Sequence, residues 1–271
     1  MRRTAVVTLA VLLCVLVAGT ALGHFHTYWP DSPNGYGRLD EQLSYQYYWG
    51  HPYENIVFDA PEPGLYAVSP DGQKAAIEPE PVEMEDPETG KARRAFTFDY
   101  TPQALGDTWV VLEAPAILIE EEGEAVQDYA KQCVHVMVEQ GWAEPVGLPI
   151  EVVPLTRPYG LEEGFAVTAR VLLDGKPLPD AHVEIEKLNG FHVTGETLPT
   201  DQWGAEDVPM ITRAARTDAD GYVTYTLDEP GWWVICATAE EGTVSIEGKE
   251  YPRVLRGCLW LHVEEEFTIG E

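Results

Sequence analysis

The stretch Phe165-Ala166-Val167-Thr168-Ala169-Arg170-Val171-Leu172-Leu173-Asp174-Gly175 decides the fold. Phe165, Val167, Ala169, Val171 and Leu173 recur at every second position, which puts them on one face of an extended strand. Asp174-Gly175 then begins a turn suited to a hairpin. The next segment keeps the period, with Val183 and Ile185 set against Glu184 and Glu186, and Tyr222 to Leu227 places Val223, Tyr225 and Leu227 on one side. No window sustains helical spacing with caps at both ends, and 21 prolines and 24 glycines punctuate the chain into short pieces. The expected fold is therefore all-β, with a β-sandwich running from near Leu148 to near Phe267.

The preceding half reads the same way. Leu43 to Tyr48, Leu65 to Ser69, Ala95 to Tyr100, Thr108 to Leu112 and Cys133 to Val138 are strand candidates, and a boundary near Gly147 divides the chain into two β-sandwich domains. The glutamate- and proline-rich segment from Ile77 to Lys91 reads as a solvated loop, because alternating proline disfavours helix and interior strand alike. Thr217-Asp218-Ala219-Asp220-Gly221 reads as a β-turn whose aspartates bond to local backbone.

The 271 residues carry 46 acidic against 17 basic side chains, a formal charge of −29. Such a field repels polyanions and concentrates cations, so no nucleic-acid partner is expected. Apolar residues at 45% supply enough material for a packed core. The first residues have the form of an export signal: Arg2 and Arg3 lead an apolar run from Ala5 to Val17, and Ala21-Leu22-Gly23 presents small residues at a cleavage site. That run is short for the ~20 residues a membrane span needs. The expected division is a signal peptide over 1–23, a domain over 24–147 and a second over 148–271, soluble once the leader is removed. Cys14 is not a lipid-attachment cysteine, since Leu13 is too large for the position before it.

Cys133, Cys236 and Cys258 remain after cleavage. If the runs holding Cys236 and Cys258 are adjacent antiparallel strands turning near Glu247, the two cysteines stand opposite one another. A cross-strand disulfide and a pair of buried thiols both fit that placement.

Cleavage after Gly23 would leave His24-Phe25-His26 at the front of the chain. A first-position histidine chelates through its α-amine and ring; a third-position histidine completes a planar set of four nitrogens that suits Cu(II) or Ni(II). Cleavage after Ala21 would still leave His24 third. The plainer reading is that His24 and His26 flank Phe25 at the start of a strand. A further element, Gly50-His51-Pro52-Tyr53-Glu54, follows the aromatic run Tyr45 to Trp49. Pro52 stiffens it, so His51 and Glu54 project together, His51 to finish a nitrogen-rich shell and Glu54 as ligand or as acceptor for a ring N–H. His262 alternates with Cys258 and Trp260, and the cysteine register puts Trp232 beside it; that face fits either a domain interface or the lining of a site. Cys133 and His135 share a strand face and are read as a buried thiol and a core histidine, while His182 and His192 have no partner in sequence. No nucleophile elbow, zinc helix or phosphate-cradling loop is present, and the reading is non-catalytic.

Several segments together carry a resemblance: Glu151 to Gly160 (EVVPLTRPYG), Val171 to Pro177 (VLLDGKP), Thr217 to Gly221 (TDADG), Pro230 to Trp233 (PGWW) and Leu259 to His262 (LWLH). With His24-Phe25-His26 and the His51-Pro52-Tyr53-Glu54 element, the chain resembles the exported family associated with periplasmic nickel/cobalt uptake. Its second half is similar to transthyretin-like or carboxypeptidase-regulatory sandwiches. The resemblance implies a periplasmic protein that binds a transition-metal ion, Ni(II) or Co(II) with Cu(II) as an alternative, and presents it to a membrane uptake transporter. His24, His51 and His262 match family histidines, and Tyr53 stands where the family commonly has Phe. The expected metal set is His24, His26, His51, Glu54 and His262, with affinity falling below about pH 6 as the imidazoles charge. The rival readings are a cell-surface interaction module with incidental histidines and a copper carrier or oxidase using the N-terminal histidine.

Overall fold

The structure, a computed structural model, describes residues 23–32, 34–120, 122–189, 198–200, 202–204 and 208–266. The expected leader up to Leu22 and His192 lie outside the described residues. The strands of the first half are β1 (Phe25–Pro30), β2 (Leu43–His51), β3 (Ile56–Phe58), β4 (Gly64–Val68), β5 (Lys74–Ile77), β6 (Glu80–Asp86), β7 (Lys91–Tyr100), β8 (Gly106–Glu113), β9 (Ile117–Ile119) and β10 (Glu124–Val136). Those of the second half are β11 (Ile150–Pro154), β12 (Leu161–Glu162), β13 (Phe165–Leu173), β14 (Lys176–Pro177), β15 (His182–Leu188), β16 (Arg213–Arg216), β17 (Tyr222–Leu227), β18 (Gly231–Ile246) and β19 (Lys249–Glu264). A single helical turn, α1 (Val208–Ile211), precedes β16. Among the described residues no helix is long and apolar enough to cross a membrane.

The fold is all-β, and the described residues form three sheets. A five-stranded sheet runs β1-β2-β7-β6 with β3 paired to β2, and a four-stranded sheet runs β11-β13-β14 with β17 on β13. Between them lies a ten-stranded sheet in the order β16-β15-β18-β19-β10-β8-β4-β5. Its centre is the parallel pairing of β10 with β19, which registers Ala130 against Cys258 and so joins strands from either side of residue 147. Both faces of its central strands are buried. Trp109, Val111, Ile185, Trp233, Ile235 and Leu259 pack against Ile150, Val152, Val167, Val171 and Val223 of the four-stranded sheet. The alternate residues, among them Val110, Leu112, Val234, Cys236, Cys258 and Trp260, pack with Tyr28, Tyr45, Tyr47, Phe96 and Phe98 of the five-stranded one. Alternation along each central strand therefore feeds two cores in turn.

The opening hairpin forms as the sequence predicts, with Asp174 and Gly175 at φ 49° and 71°, but it is short. β14 pairs with only two residues of β13, and β15 then leaves for the ten-stranded sheet. In β15 the glutamates expected to form a polar face are covered: Glu184 is 1% exposed and Glu186 0%. The 217–221 turn also forms as expected, with Asp218 Oδ1 accepting from the backbone of Asp220 at 2.9 Å and of Tyr222 at 2.8 Å.

The Ile77–Lys91 segment corrects the loop reading. Glu80–Asp86 within it is β6, the outer strand of the five-stranded sheet, mostly exposed. Proline is tolerated there because an edge strand leaves alternate N–H groups unpaired, and its charges discourage further strand addition.

β18 and β19 form a hairpin that pairs Cys236 with Cys258 and Trp232 with His262. The turn is Glu247-Gly248, with φ of 51° and 80°, and a bulge between Glu240 and Thr243 shifts the pairing by one residue. The cysteines are joined as a disulfide at a Cα separation of 4.1 Å. Cys133 is a buried free thiol.

Two buried ion pairs tie the halves together. Lys131 Nζ on β10 donates to Glu151 Oε1 on β11 at 2.5 Å and lies over the Trp109 ring. The Glu151 carboxylate also accepts N–H bonds from Val146, Gly147 and Leu148, which fixes the segment between the halves. Arg256 on β19 forms a bidentate pair with Asp128 on β10.

Candidate functional site

The first strand is held by its backbone. Arg256 donates to the carbonyl of His24, and Trp260 Nε1 donates to the carbonyl of His26 at 3.1 Å. β1 then pairs with β2 in a register that sets Phe25 opposite Gly50 and His26 opposite Trp49. That register brings the His24 ring edge-on to the His51 ring, with centroids 4.4 Å apart. Trp49 and Phe58 line the same space, their rings 5.8 and 5.4 Å from that of His24.

Gly50 is required by the strand return. β3 folds back on β2 so closely that a β-carbon on Gly50 would lie 1.9 Å from the carbonyl oxygen of Ile56. Asn55, at φ 62°, completes the turn. Within it His51 Nδ1 stands 3.1 Å from Glu54 Oε2, and both side chains are largely buried. Among the described residues neither ring nitrogen of His51 has a hydrogen-bond partner, although Nδ1 has that carboxylate beside it.

Strand β15 and the residue after it, Asn189, clamp this turn from the other half of the chain. Glu186 Oε1 accepts from the Tyr53 N–H at 3.1 Å, while Asn189 donates its N–H to the Pro52 carbonyl at 3.1 Å and its amide to the Tyr53 carbonyl at 3.3 Å. The second oxygen of Glu186 accepts from Thr212 Oγ1 at 2.6 Å. Burial, with smaller contributions from Glu54 and Glu184, pushes the Glu186 carboxyl up to about 8 against the opposing hydrogen bonds from Thr212 and Tyr53. A β-carbon placed on Gly23 would lie 3.7 Å from Glu186 Oε2, 3.5 Å from Thr212 Oγ1 and 3.9 Å from the His51 ring. The residue before His24 is thus buried beside Glu186, Thr212 and His51.

The other expected ligands are placed differently. His26 is buried, and its Nδ1 lies 2.7 Å from the Tyr47 hydroxyl. Burial lowers its pKa to about 4, with Asp128 opposing and Arg256 reinforcing the shift, so the ring is neutral over the physiological range. His262 lies on β19 against Trp232, ring centroids 5.0 Å apart. It is six residues beyond Arg256, about 20 Å along an extended strand, whereas Arg256 holds the His24 carbonyl. The structure therefore gathers His24, His51 and Glu54, and sets His26 and His262 apart. His135 is tied to the buried Asp107 at 2.6 Å and stacked on Tyr159, a satisfied position.

Glu186, Asn189, Thr212 and Arg256 were not singled out by sequence reasoning. Glu186 alternates with apolar residues like any strand glutamate; only the sheet covering that face buries it beside the turn.

The donor chemistry fits a borderline transition metal: two imidazoles, a carboxylate and, after cleavage at Gly23, an α-amine. The His51 ring nitrogens, which have no hydrogen bond among the described residues, and the Glu54 carboxylate beside Nδ1 are what such an ion would satisfy. Among the described residues no three His, Cys, Asp or Glu side chains are spaced to hold one ion.

A family model described as a domain of unknown function, DUF4198, matches residues 21–241. The chain belongs to the DUF4198 family. The matched span includes every member of the His24, His51 and Glu54 cluster as well as Glu186 and Thr212. No curated protein matches this DUF4198 chain. Among solved structures it is similar to a Salmonella alpha-2-macroglobulin mutant at 14% identity and a TM-score of 0.27, the match covering 90% of this chain and 15% of that one. A DUF4785 family protein from Legionella pneumophila matches at 8% identity and a TM-score of 0.29, covering 78% of this chain and 50% of that one. A segment of two fibronectin type-III domains from chicken tenascin matches at 13% identity and a TM-score of 0.22, covering 87% and 98%.

Proposed function

We propose that the mature protein is an exported, non-catalytic carrier of a divalent transition metal, Ni(II) or Co(II), which it hands to a membrane uptake system. The observation that carries this reading is the meeting of His24, His51 and Glu54 at the paired ends of β1 and β2. His24 supplies its ring and, once the leader is removed, its α-amine; His51 supplies a second ring; Glu54 offsets charge. The chain's formal charge of −29 raises the cation concentration around the site. The likeness to exported nickel/cobalt-uptake components noted from the sequence supports the same assignment. His26 holds β1 in place as a neutral, buried ring instead of binding the ion.

The test begins with mass spectrometry of the exported protein to establish residue one. Ni(II), Co(II), Cu(II) and Zn(II) are then titrated into the mature form and into a form carrying one extra N-terminal residue. Tight Ni(II) or Co(II) binding that weakens with the extension and with His51→Ala is expected. Equal affinity in both forms would remove the amine from the site, and no binding of any of the four would favour an interaction module. The near-perpendicular His24 and His51 rings are also a geometry that Cu(II) accepts. Copper binding with peroxide production in the presence of a reductant would favour the copper reading.

A further inference from the structure

Glu186 is the buried carboxylate that the site as assigned above does not use. It is 0% exposed, and among the described residues no Lys, Arg or His lies within ion-pair distance of it. Its neighbours in charge are two further acids, Glu54 and Glu184, and Glu184 is itself 1% exposed. His51 stands beside Glu54, and Arg256 and His182 act on Glu184, but among the described residues Glu186 has no such neighbour of its own; burying a carboxylate in that state is unfavourable, and a bound cation removes the penalty. Each Glu186 oxygen accepts one bond, from Tyr53 N–H or Thr212 Oγ1, which leaves each with a lone pair to spare. Its Oε2 and the His51 ring both lie within 4 Å of where a β-carbon on Gly23 would stand, and removal of Gly23 would free the His24 amine.

We propose that Glu186 supplies a second carboxylate charge to the ion held by His24, His51 and Glu54, and that this charge makes the site select divalent over monovalent metal. The proposal rests on the metal-binding reading above. The nitrogen donors are neutral, so a divalent ion in a poorly solvated pocket needs two negative charges for balance, and Glu54 alone supplies one. A monovalent ion is balanced by Glu54 without help. The site is then built by both halves of the chain: β1 and β2 bring nitrogen donors and one acid, and β15 brings the second acid while it clamps the turn.

The charge can be separated from the clamp. In Glu186→Gln the amide oxygen can still accept from Tyr53 N–H, and the amide nitrogen can donate to Thr212 Oγ1. Ni(II) and Ag(I), a monovalent ion that does not cycle its oxidation state under these conditions, are titrated into mature wild type, Glu186→Gln and His51→Ala, with thermal unfolding of each metal-free form as control. Glu186→Gln is expected to weaken Ni(II) binding by about tenfold or more, leave Ag(I) within about twofold, and keep the unfolding midpoint at or above that of wild type. Unchanged Ni(II) affinity overturns the proposal, and so does an equal loss for both ions, which would make Glu186 a scaffold only. A midpoint that falls sharply moves the comparison to Thr212→Val, which removes one scaffold bond and keeps the charge; loss of the Ni(II) preference there also overturns it. Wild type that binds neither ion refutes the underlying metal reading, whereas wild-type binding abolished by His51→Ala but indifferent to Glu186→Gln refutes this proposal alone.

Discussion

His26 gives the structure a pH dependence that can be worked through. Its ring is buried against Tyr47, and burial lowers its pKa from 6.5 to about 4. A base whose pKa is lower when folded stabilises the fold while neutral; that contribution is complete above 6.5 and declines as pH falls towards 4, where the folded form also protonates. At about 1.36 kcal/mol per unit, the whole shift corresponds to about 3 kcal/mol, of which about 2 kcal/mol is lost by pH 5. The charged groups facing the ring are Asp128, which resists the shift, and Arg256, which adds to it, and the two are held together as a bidentate pair. The assay is urea unfolding near pH 7.5 and pH 5 for wild type and for His26→Gln. Wild type should lose about 2 kcal/mol more than the variant between the two pH values. Parallel losses would refute the reasoning, as would an NMR titration placing the His26 midpoint near its ordinary value. Glu186 runs the other way: its carboxyl is raised, so its contribution is complete below the ordinary carboxylate range and lost as pH climbs through about 8. Repeating the series in Glu186→Gln separates the two.

Lys131→Met leaves the Glu151 carboxylate buried without its cation, although three backbone N–H groups still serve it, and should cost about 3 kcal/mol in urea unfolding. Gly50→Ala forces a β-carbon into the Ile56 carbonyl, so the β2–β3 return must open; Ni(II) affinity should fall with stability, because His51 and Glu54 move with the turn. His262→Ala should leave Ni(II) affinity within about twofold, since the ring sits against Trp232 far along β19; a larger loss by calorimetric titration would bring that residue back into the site.

Much of the architecture is written locally. The alternation from Phe165 to Leu173 and the Asp174-Gly175 turn specify β13 and its hairpin without help from distant residues. The opposition of Cys236 and Cys258 follows from the spacing about Glu247, because an antiparallel hairpin has one register once its turn is set, and the bulge supplies the remaining half-step. The strand β6 within the Ile77–Lys91 segment was illegible for a physical reason: proline and glutamate speak against an interior strand, and they do not distinguish a loop from an exposed edge.

The sequence by itself determined that the chain is built of strands, where many of them turn, and that histidines cluster near the expected cleavage point and after an aromatic strand. Those are consequences of side-chain period and turn chemistry, which act over a few residues. Only the tertiary structure decided that β10 and β19 lie side by side, that Glu184 and Glu186 are covered instead of solvated, and that His51 meets His24 while His26 and His262 do not. Burial of a polar face and the meeting of two rings depend on which sheet packs over which, a choice made by the pairing of strands more than a hundred residues apart.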